Sequence, residues 1–523
     1  MANIILFTDR SPLTHSIDEN FYLFERYSRP AGAYKIASTL RKHGYSVIVV
    51  PNCLRLSLTS IKEFIRQNSK DLIWVGLSTT FLTVKSPFVN DYREIWKSTN
   101  DRYVDLSILK NEYYVQMSVP TLLAWGTDEL KLISKFISLN YNAKLCLGGT
   151  WVSHVKNGSI DVDSAEVHII TGMSEDYTVE MTHALSKNQD IPYQLSSING
   201  EVDFKRSVID YTANDIINSD EWLTLEVSRG CAFKCAYCTY DHKGKADTTK
   251  YTQTLKDEIL KNYEYWGVTK YHLLDDLYND SDYKIKLLYD EVWSALPFQP
   301  EWISYLRLDL LWSNPESAEW IKASGCKLGS FGIETLHDQA GKKVGKGLGK
   351  TRILETLENL KNVWGNDVLV TALMIAGLPG EPYEHIVETM HWLKRTDLIH
   401  SYKYAPLWVT PPEHKPFALK QNSMSDDYEK YQLSWGPDGW VNNVGVNFKM
   451  VSDLVSTDDK NYVSKFFPVD LIEYPELRFL GHKHKDLVNR NLNTNILIDI
   501  KNQNYKINNL VEERLEKILK ITD

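Results

Sequence analysis

The chain has 523 residues, 43% hydrophobic and 12% aromatic, enough to build real cores over about two to four domains and unlike a disordered composition. A net charge of −9 and a pI near 5.9 leave no overall basic footprint for nucleic acid. No window approaches the roughly 18 uninterrupted apolar residues of a helical membrane span, and the N-terminal MANIILFTDR reads as a first strand and not a signal peptide, so a cytoplasmic protein is expected.

Residues 1–190 alternate between strand-like and helix-like segments. NIILFT (3–8) is followed by a helical stretch at 31–44, the strand YSVIVVP (45–51), a helix at 60–68 and the strand LIWVGLST (72–79). A polar and aromatic insertion covers roughly 83–120, and then come a helix at 127–138, strands AKLCLGG (143–149) and VHIITG (167–172), and a helix at 175–187. Apolar strands alternating with amphipathic helices predict a doubly wound, Rossmann-like parallel sheet, in which ligands sit at the carboxyl ends of the strands. Residues 191–220 are polar and irregular and read as a linker or a wrap between domains.

A second alternation fills 221–415, with strands expected near 222–228, 271–276, 302–309, 328–334, 368–377 and 402–410 and helices between them. Six β/α units predict a partial, TIM-like (β/α)6 barrel, with another open α/β sheet as the alternative. The tail, 416–523, reads as irregular and α-rich. It carries an aromatic stretch with Trp435 and Trp440 and an amphipathic helix at 508–520 that places Val511, Leu515, Ile518 and Leu519 on one face.

Three of the six cysteines lie within eight residues, in EVSRGCAFKCAYCTYD: Cys231, Cys235 and Cys238, spaced C-x3-C-x2-C. In a reducing compartment such a cluster points to metal ligation or catalysis before disulfides. Zinc sites usually close four ligands, often as two C-x2-C pairs. No second pair exists here, although His242 stands four residues beyond Cys238. Three thiolates suit an iron–sulfur cube with one iron left open to a substrate or cofactor.

The spacing, the aromatic Tyr237 before the last cysteine and the preceding strand resemble the radical S-adenosylmethionine (SAM) enzymes. That resemblance implies a [4Fe-4S] cluster on Cys231, Cys235 and Cys238, SAM bound at the open iron, and one-electron cleavage to a 5′-deoxyadenosyl radical. It also implies an external electron donor such as flavodoxin or ferredoxin. Downstream motifs carry the resemblance further. DDLYND puts Asp275 and Asp276 where the family has residues near the SAM amino group, and YLRLD supplies Arg307 and Asp309, which either contact SAM or pair with each other. FGIET places Glu334 near SAM, and Gly377 in IAGLPGE falls where the family contacts adenine through backbone; Tyr237 is implied to face the adenine too.

A doubly wound domain ahead of such a barrel is similar to the cobalamin-dependent branch of the family. The resemblance implies a corrin at the strand ends, beside Ser78, Thr79, Gly148, Gly149 and Gly172. D-x-H-x-x-G is missing, so no histidine ligand from that motif is expected, and the absence of G-x-G-x-x-G after the first strand disfavours a nicotinamide site. Cys53, Cys146 and Cys326 are isolated, which argues against a second cluster. Three readings follow: a cobalamin-dependent C-methyltransferase, a radical SAM enzyme with a cobalamin-free first domain that catalyses rearrangement or ring formation, and a non-catalytic zinc module. The acidic balance favours a small-molecule or peptide substrate over RNA.

Overall fold

Alternating apolar runs build the first sheet of the computed structural model, which describes residues 2–8, 29–51, 53, 58–78, 83–84, 123–125, 127–149, 152, 167–192, 194–196, 203–219, 221–240, 243–244, 248–410, 422–455, 514 and 516–518. In chain order these are β1 (Ala2–Phe7), α1 (Ala31–Lys42), β2 (Val47–Val50), α2 (Leu58–Asn68), β3 (Ser69–Ser78), α3 (Thr127–Tyr141), β4 (Lys144–Gly148), β5 (Val167–Thr171), α4 (Glu175–Ser186) and β6 (Gln194–Ser196). The strands pair in the order β2-β1-β3-β4-β5-β6, all parallel. The order reverses between β1 and β3, which creates the crevice where such sheets bind ligands.

Period-two alternation splits this sheet into two faces. Ile5, Phe7, Val75 and Leu145 pack against Phe64 and Ile65 of α2 and Ile133 and Ile137 of α3. Ile4, Leu6 and Trp74 face Tyr34 of α1 and Met181 of α4, and this second core runs on without a break into the next domain. Ile518, from the expected amphipathic tail helix, is fully buried in the first of these cores. Val511, Leu515 and Leu519 lie outside the described residues, as do most of the 83–120 insertion and residues 456–513.

The barrel strands are β7 (Trp222–Leu225), β8 (Lys270–Leu273), β9 (Glu301–Leu306), β10 (Cys326–Glu334), β11 (Leu369–Ala376) and β12 (Ser401–Pro406). They pair parallel in chain order, β7 to β12, as the expected partial barrel requires. Between them run α5 (Thr252–Trp266), α6 (Asp282–Glu291), α7 (Leu308–Ser313), α8 (Ser317–Ala323), α9 (Asp338–Lys343), α10 (Lys350–Trp364) and α11 (Tyr383–Arg395). The third strand stops at Leu306, so Arg307 caps α7 and Asp309 lies in that helix, although the apolar run suggests a strand to 309.

Of the two readings for 191–220 the structure has the wrap: β6 joins the first sheet, and residues 203–219 form a strap tied to both domains. Arg41 holds Asp215 through two hydrogen bonds of 2.7 and 2.9 Å, Ser38 donates to the Asp210 carbonyl, and the Ile209 amide donates to Glu258 of α5. Its polar residues look irregular in sequence because their partners lie elsewhere in the chain. One expectation changes: the described part of the C-terminal region is not α-rich alone. It holds a short helix (Ser423–Asp426), a hairpin of β13 (Leu433–Gly436) and β14 (Gly439–Asn442), and helical residues 448–455. Trp440 of the hairpin is fully buried, and its indole N–H donates to the Leu407 carbonyl at 2.9 Å.

Candidate active site

The cysteine loop leaves β7 and is closed at its base by an antiparallel pair, Ser228–Arg229 with Thr248–Thr249. A bridge between Cys231 and Lys243 and a bond from the Gly244 amide to the Phe233 carbonyl narrow it, and the Cys238 amide donates to the Cys235 carbonyl at 3.1 Å. The loop leans on the segment after α9, where the Ala236 amide donates to the Val344 carbonyl. Cys235 is buried, while Cys231 and Cys238 are half-buried.

Burial pushes the Cys231 and Cys238 thiols above their ordinary values, and each sulfur accepts a backbone amide, from Phe233 and Tyr240 respectively. Cys238 lies within electrostatic reach of both other cysteines. Among the described residues, no group of three Cys, His, Asp or Glu side chains is placed to hold a metal ion. Three thiols on one short loop, one of them beside the Arg307 guanidinium, have the donor chemistry that an anionic iron–sulfur cluster takes. His242 lies outside the described residues.

Around these sulfurs the structure gathers side chains far apart in sequence. Arg307 donates from Nη1 to the Cys235 sulfur at 3.4 Å and from Nε and Nη2 to the two oxygens of Asp309 at 2.9 and 2.5 Å. The Tyr237 hydroxyl donates to Glu334 Oε1 at 2.7 Å, and Lys346 Nζ stands 3.8 Å from the same oxygen. Burial pushes the Glu334 carboxyl up, against the pull of Lys346 and Tyr237. Glu334 sits at φ +69°, at a register shift in the pairing of β10 with β11, and this irregular strand end turns its carboxylate inward. A side-chain carbon on Gly332 would collide with that carboxylate and push it from its place.

The two aspartates of DDLYND separate. Asp275 is buried, and its Oδ1 accepts both the Ser228 amide and the Ser228 hydroxyl, with Lys284 donating to that hydroxyl at 2.7 Å. Desolvation raises its pKa. Asp275 thus braces the base of the cysteine loop, and Asp276 is the one that borders open space. Gly377 has φ +91°, and a Cβ there would run into the Trp440 ring, so the tail hairpin occupies the place beside the fifth strand.

A cavity of about 320 Å³ lies at the switch point of the first sheet. Ser78, Gly148, Gly149 and Gly172 line it from the strand ends, while Ser228 and Asp276 line it from the barrel. Thr79 lies outside the described residues. One wall is ionic. Lys35 pairs with Glu226, and Arg229 bonds Glu175 at 2.9 Å and Glu226 at 3.1 Å. Burial and the Arg229 charge push the Lys35 ammonium well below its ordinary pKa. Small residues and an apolar floor of Leu6, Trp74 and Ile170, bordered by polar groups, fit a broad planar macrocycle with amide edges.

Sequence reasoning did not find Lys346, Phe233, Asn279, Lys35, Glu175 or Arg229. Lys346 had a signal, since the lysine- and glycine-rich GKKVGKGLGK (341–350) follows FGIET after five intervening residues. The others are ordinary residues until the fold brings them together.

Residues 225–393 match the family model of the radical SAM superfamily. The chain therefore carries a radical SAM domain over that stretch. Among solved structures it resembles a radical S-adenosylmethionine methyltransferase, TsrM, from Kitasatospora setae with cobalamin and a [4Fe-4S] cluster bound, at 17% identity and a TM-score of 0.53 over 78% of this chain and 75% of that one. It also resembles the cobalamin-dependent S-adenosylmethionine radical enzyme OxsB with aqua-cobalamin bound, at 12% identity and a TM-score of 0.52 over 99% of this chain and 83% of that one. These likenesses establish a shared fold, including the sheet ahead of the barrel. No curated protein matches the chain by sequence. No helix among the described residues is long and apolar enough to cross a membrane.

Proposed function

We propose that this protein is a radical SAM enzyme that depends on cobalamin and transfers a methyl group to carbon of a small molecule or peptide. One observation carries the reading: a single cavity is lined both by the strand ends of the first sheet, at Ser78, Gly148, Gly149 and Gly172, and by the barrel, at Ser228 and Asp276. A cofactor seated on the first sheet would meet whatever the barrel holds. The fold shared with TsrM and OxsB supports the same assignment.

Cys231, Cys235 and Cys238 would hold a [4Fe-4S] cluster, and Glu334, Tyr237, Lys346 and Asp276 would surround SAM. Bound there, the cluster supplies an electron for cleavage of SAM, and the corrin supplies a methyl carrier. The chain's own residues orient and enclose. The Tyr237–Glu334 bond fixes the ring and the carboxylate relative to each other. Asn422 donates to the Tyr237 carbonyl at 3.3 Å and to the Trp408 carbonyl at 2.7 Å, which ties the cysteine loop to the tail. The Asp275–Ser228–Lys284 set holds the loop's entry, and Leu6, Trp74 and Ile170 give the space an apolar floor. An external one-electron carrier protein completes the system.

Anaerobic purification with iron, sulfide and hydroxocobalamin, followed by absorption spectra, metal analysis and assay of 5′-deoxyadenosine, tests this. Cluster and corrin bands together support it. A cluster without corrin points to the cobalamin-free enzyme, and tightly held zinc alone overturns both readings. A Cys235→Ala protein that still cleaves SAM reductively would defeat the cluster assignment.

A further inference from the structure

Arg307 is held from several sides beside the cysteines. Its guanidinium stacks on the Phe233 ring, 3.6 Å from the centroid, and its fork is filled by both oxygens of Asp309. Its backbone is clamped as well. The Arg307 amide donates to Asn279 Oδ1 at 2.8 Å, and the Asn279 amide nitrogen donates to the Arg307 carbonyl at 3.0 Å. The remaining direction is taken by Nη1, which donates to the Cys235 sulfur at 3.4 Å. A side chain fixed by a stack, a fork and a backbone clamp is not waiting to swing onto a carboxylate.

We propose that Arg307 is a positioning residue that sets the reduction potential of the iron–sulfur cluster through the Cys235 sulfur, and that it is not a SAM ligand. The inference rests on the reading that Cys231, Cys235 and Cys238 hold a cluster. Hydrogen bonds to cluster sulfurs and the charge near them are among the terms that set the potential. Arginine keeps its charge at any working pH. Its partner does not cancel it at the sulfur: the Arg307 side chain is 7% exposed and the Asp309 side chain 30%, so solvent screens the carboxylate more, and the cation stands nearer to Cys235. The cation and its N–H favour the reduced cluster, which carries one more negative charge. Arg307 therefore raises the potential and makes the cluster easier to reduce.

The test uses the full chain and its Arg307→Gln, Arg307→Lys and Asp309→Asn variants, reconstituted anaerobically and compared by iron and sulfide content. Potentials are then measured by titration with electron paramagnetic resonance, in the absence of SAM, and SAM binding is measured separately. The expected result is a more negative midpoint potential for Arg307→Gln without SAM, with Arg307→Lys between it and the parent. An unchanged potential together with weakened SAM binding overturns the proposal and makes Arg307 a SAM contact. If Arg307→Gln fails to fold or to hold iron, Asp309→Asn decides. It removes the opposing charge while Phe233 still holds the guanidinium, so its potential moves positive, and no shift refutes the inference. A parent protein that takes up no iron defeats the cluster reading beneath it, and that outcome is visible before any variant is compared.

Discussion

Gly377→Ala tests whether the tail hairpin is built into the barrel. Gly377 has φ +91°, and an added Cβ would strike Trp440 Cη2 and lie 3.1 Å from Trp440 Cζ2 and 3.2 Å from Val451 Cγ1. The left-handed backbone costs an alanine about 1–2 kcal/mol, and forcing a methyl into a packed site costs about 1–3 kcal/mol more. The sum, about 2–5 kcal/mol, corresponds to a fall in Tm on the order of 10 °C for a unit of this size. Differential scanning fluorimetry on the parent, Gly377→Ala, Trp440→Leu and the double variant separates the two terms. Trp440→Leu alone destabilises, because it empties a fully buried site and removes the bond to the Leu407 carbonyl. In the double variant the clash disappears and the backbone strain stays, so the combined loss is smaller than the sum of the single losses. Losses that simply add, within about 0.5 kcal/mol, would refute the claim that Trp440 fills the space beside Gly377.

Burial raises the Glu334 carboxyl, so the native state favours its protonated form and loses stability as pH climbs from the ordinary carboxylate value through the raised one. The Tm advantage of Glu334→Gln over the parent should therefore grow between about pH 4 and pH 8, and a constant difference would count against it. Glu221 bonds Arg29 and Arg514 in a buried set; burial pushes its pKa up, but the two cations outweigh this and hold it low. Its contribution is present above the ordinary carboxylate pKa and is lost as pH falls through the depressed value. Glu221→Gln should cost about 3–5 kcal/mol at neutral pH, read from thermal unfolding, because it leaves two buried guanidinium groups short of a partner. Burial lifts the Cys146 and Cys326 thiols far above their ordinary range, and Cys53 is fully buried. Alkylation of the native, metal-free protein should mark Cys231 and Cys238 and spare those three, as peptide mapping would record.

Much of the architecture was legible because it is written locally. A strand such as Ile4, Ile5, Leu6, Phe7 has apolar residues on both faces and must be covered on both, which means helices on either side of a parallel sheet. The cysteine spacing was legible for the same reason, since three thiols within eight residues can reach one object whatever surrounds them. Local reading failed where adjacent residues take opposite roles. Asp275 and Asp276 are neighbours, yet one is buried under Ser228 and the other borders the cavity, and no pattern in DDLYND separates them. Nor does it tell what the wrap at 203–219 is tied to, because its polar groups are satisfied by Arg41, Ser38 and Glu258.

The sequence by itself determined the two α/β units, their order, and a three-thiol loop at the end of the first barrel strand, because periodicity and short spacing are properties of a few consecutive residues. Only the tertiary structure decided that Tyr237 bonds Glu334 across 97 positions, that Arg307 reaches Cys235 across 72, and that Trp440 fills the place beside Gly377. Those meetings depend on where the closing sheet carries distant strand ends, and on which buried polar groups must then find partners. Chain geometry and the cost of burying an unsatisfied charge set them together, and neither is visible in any one stretch of the chain.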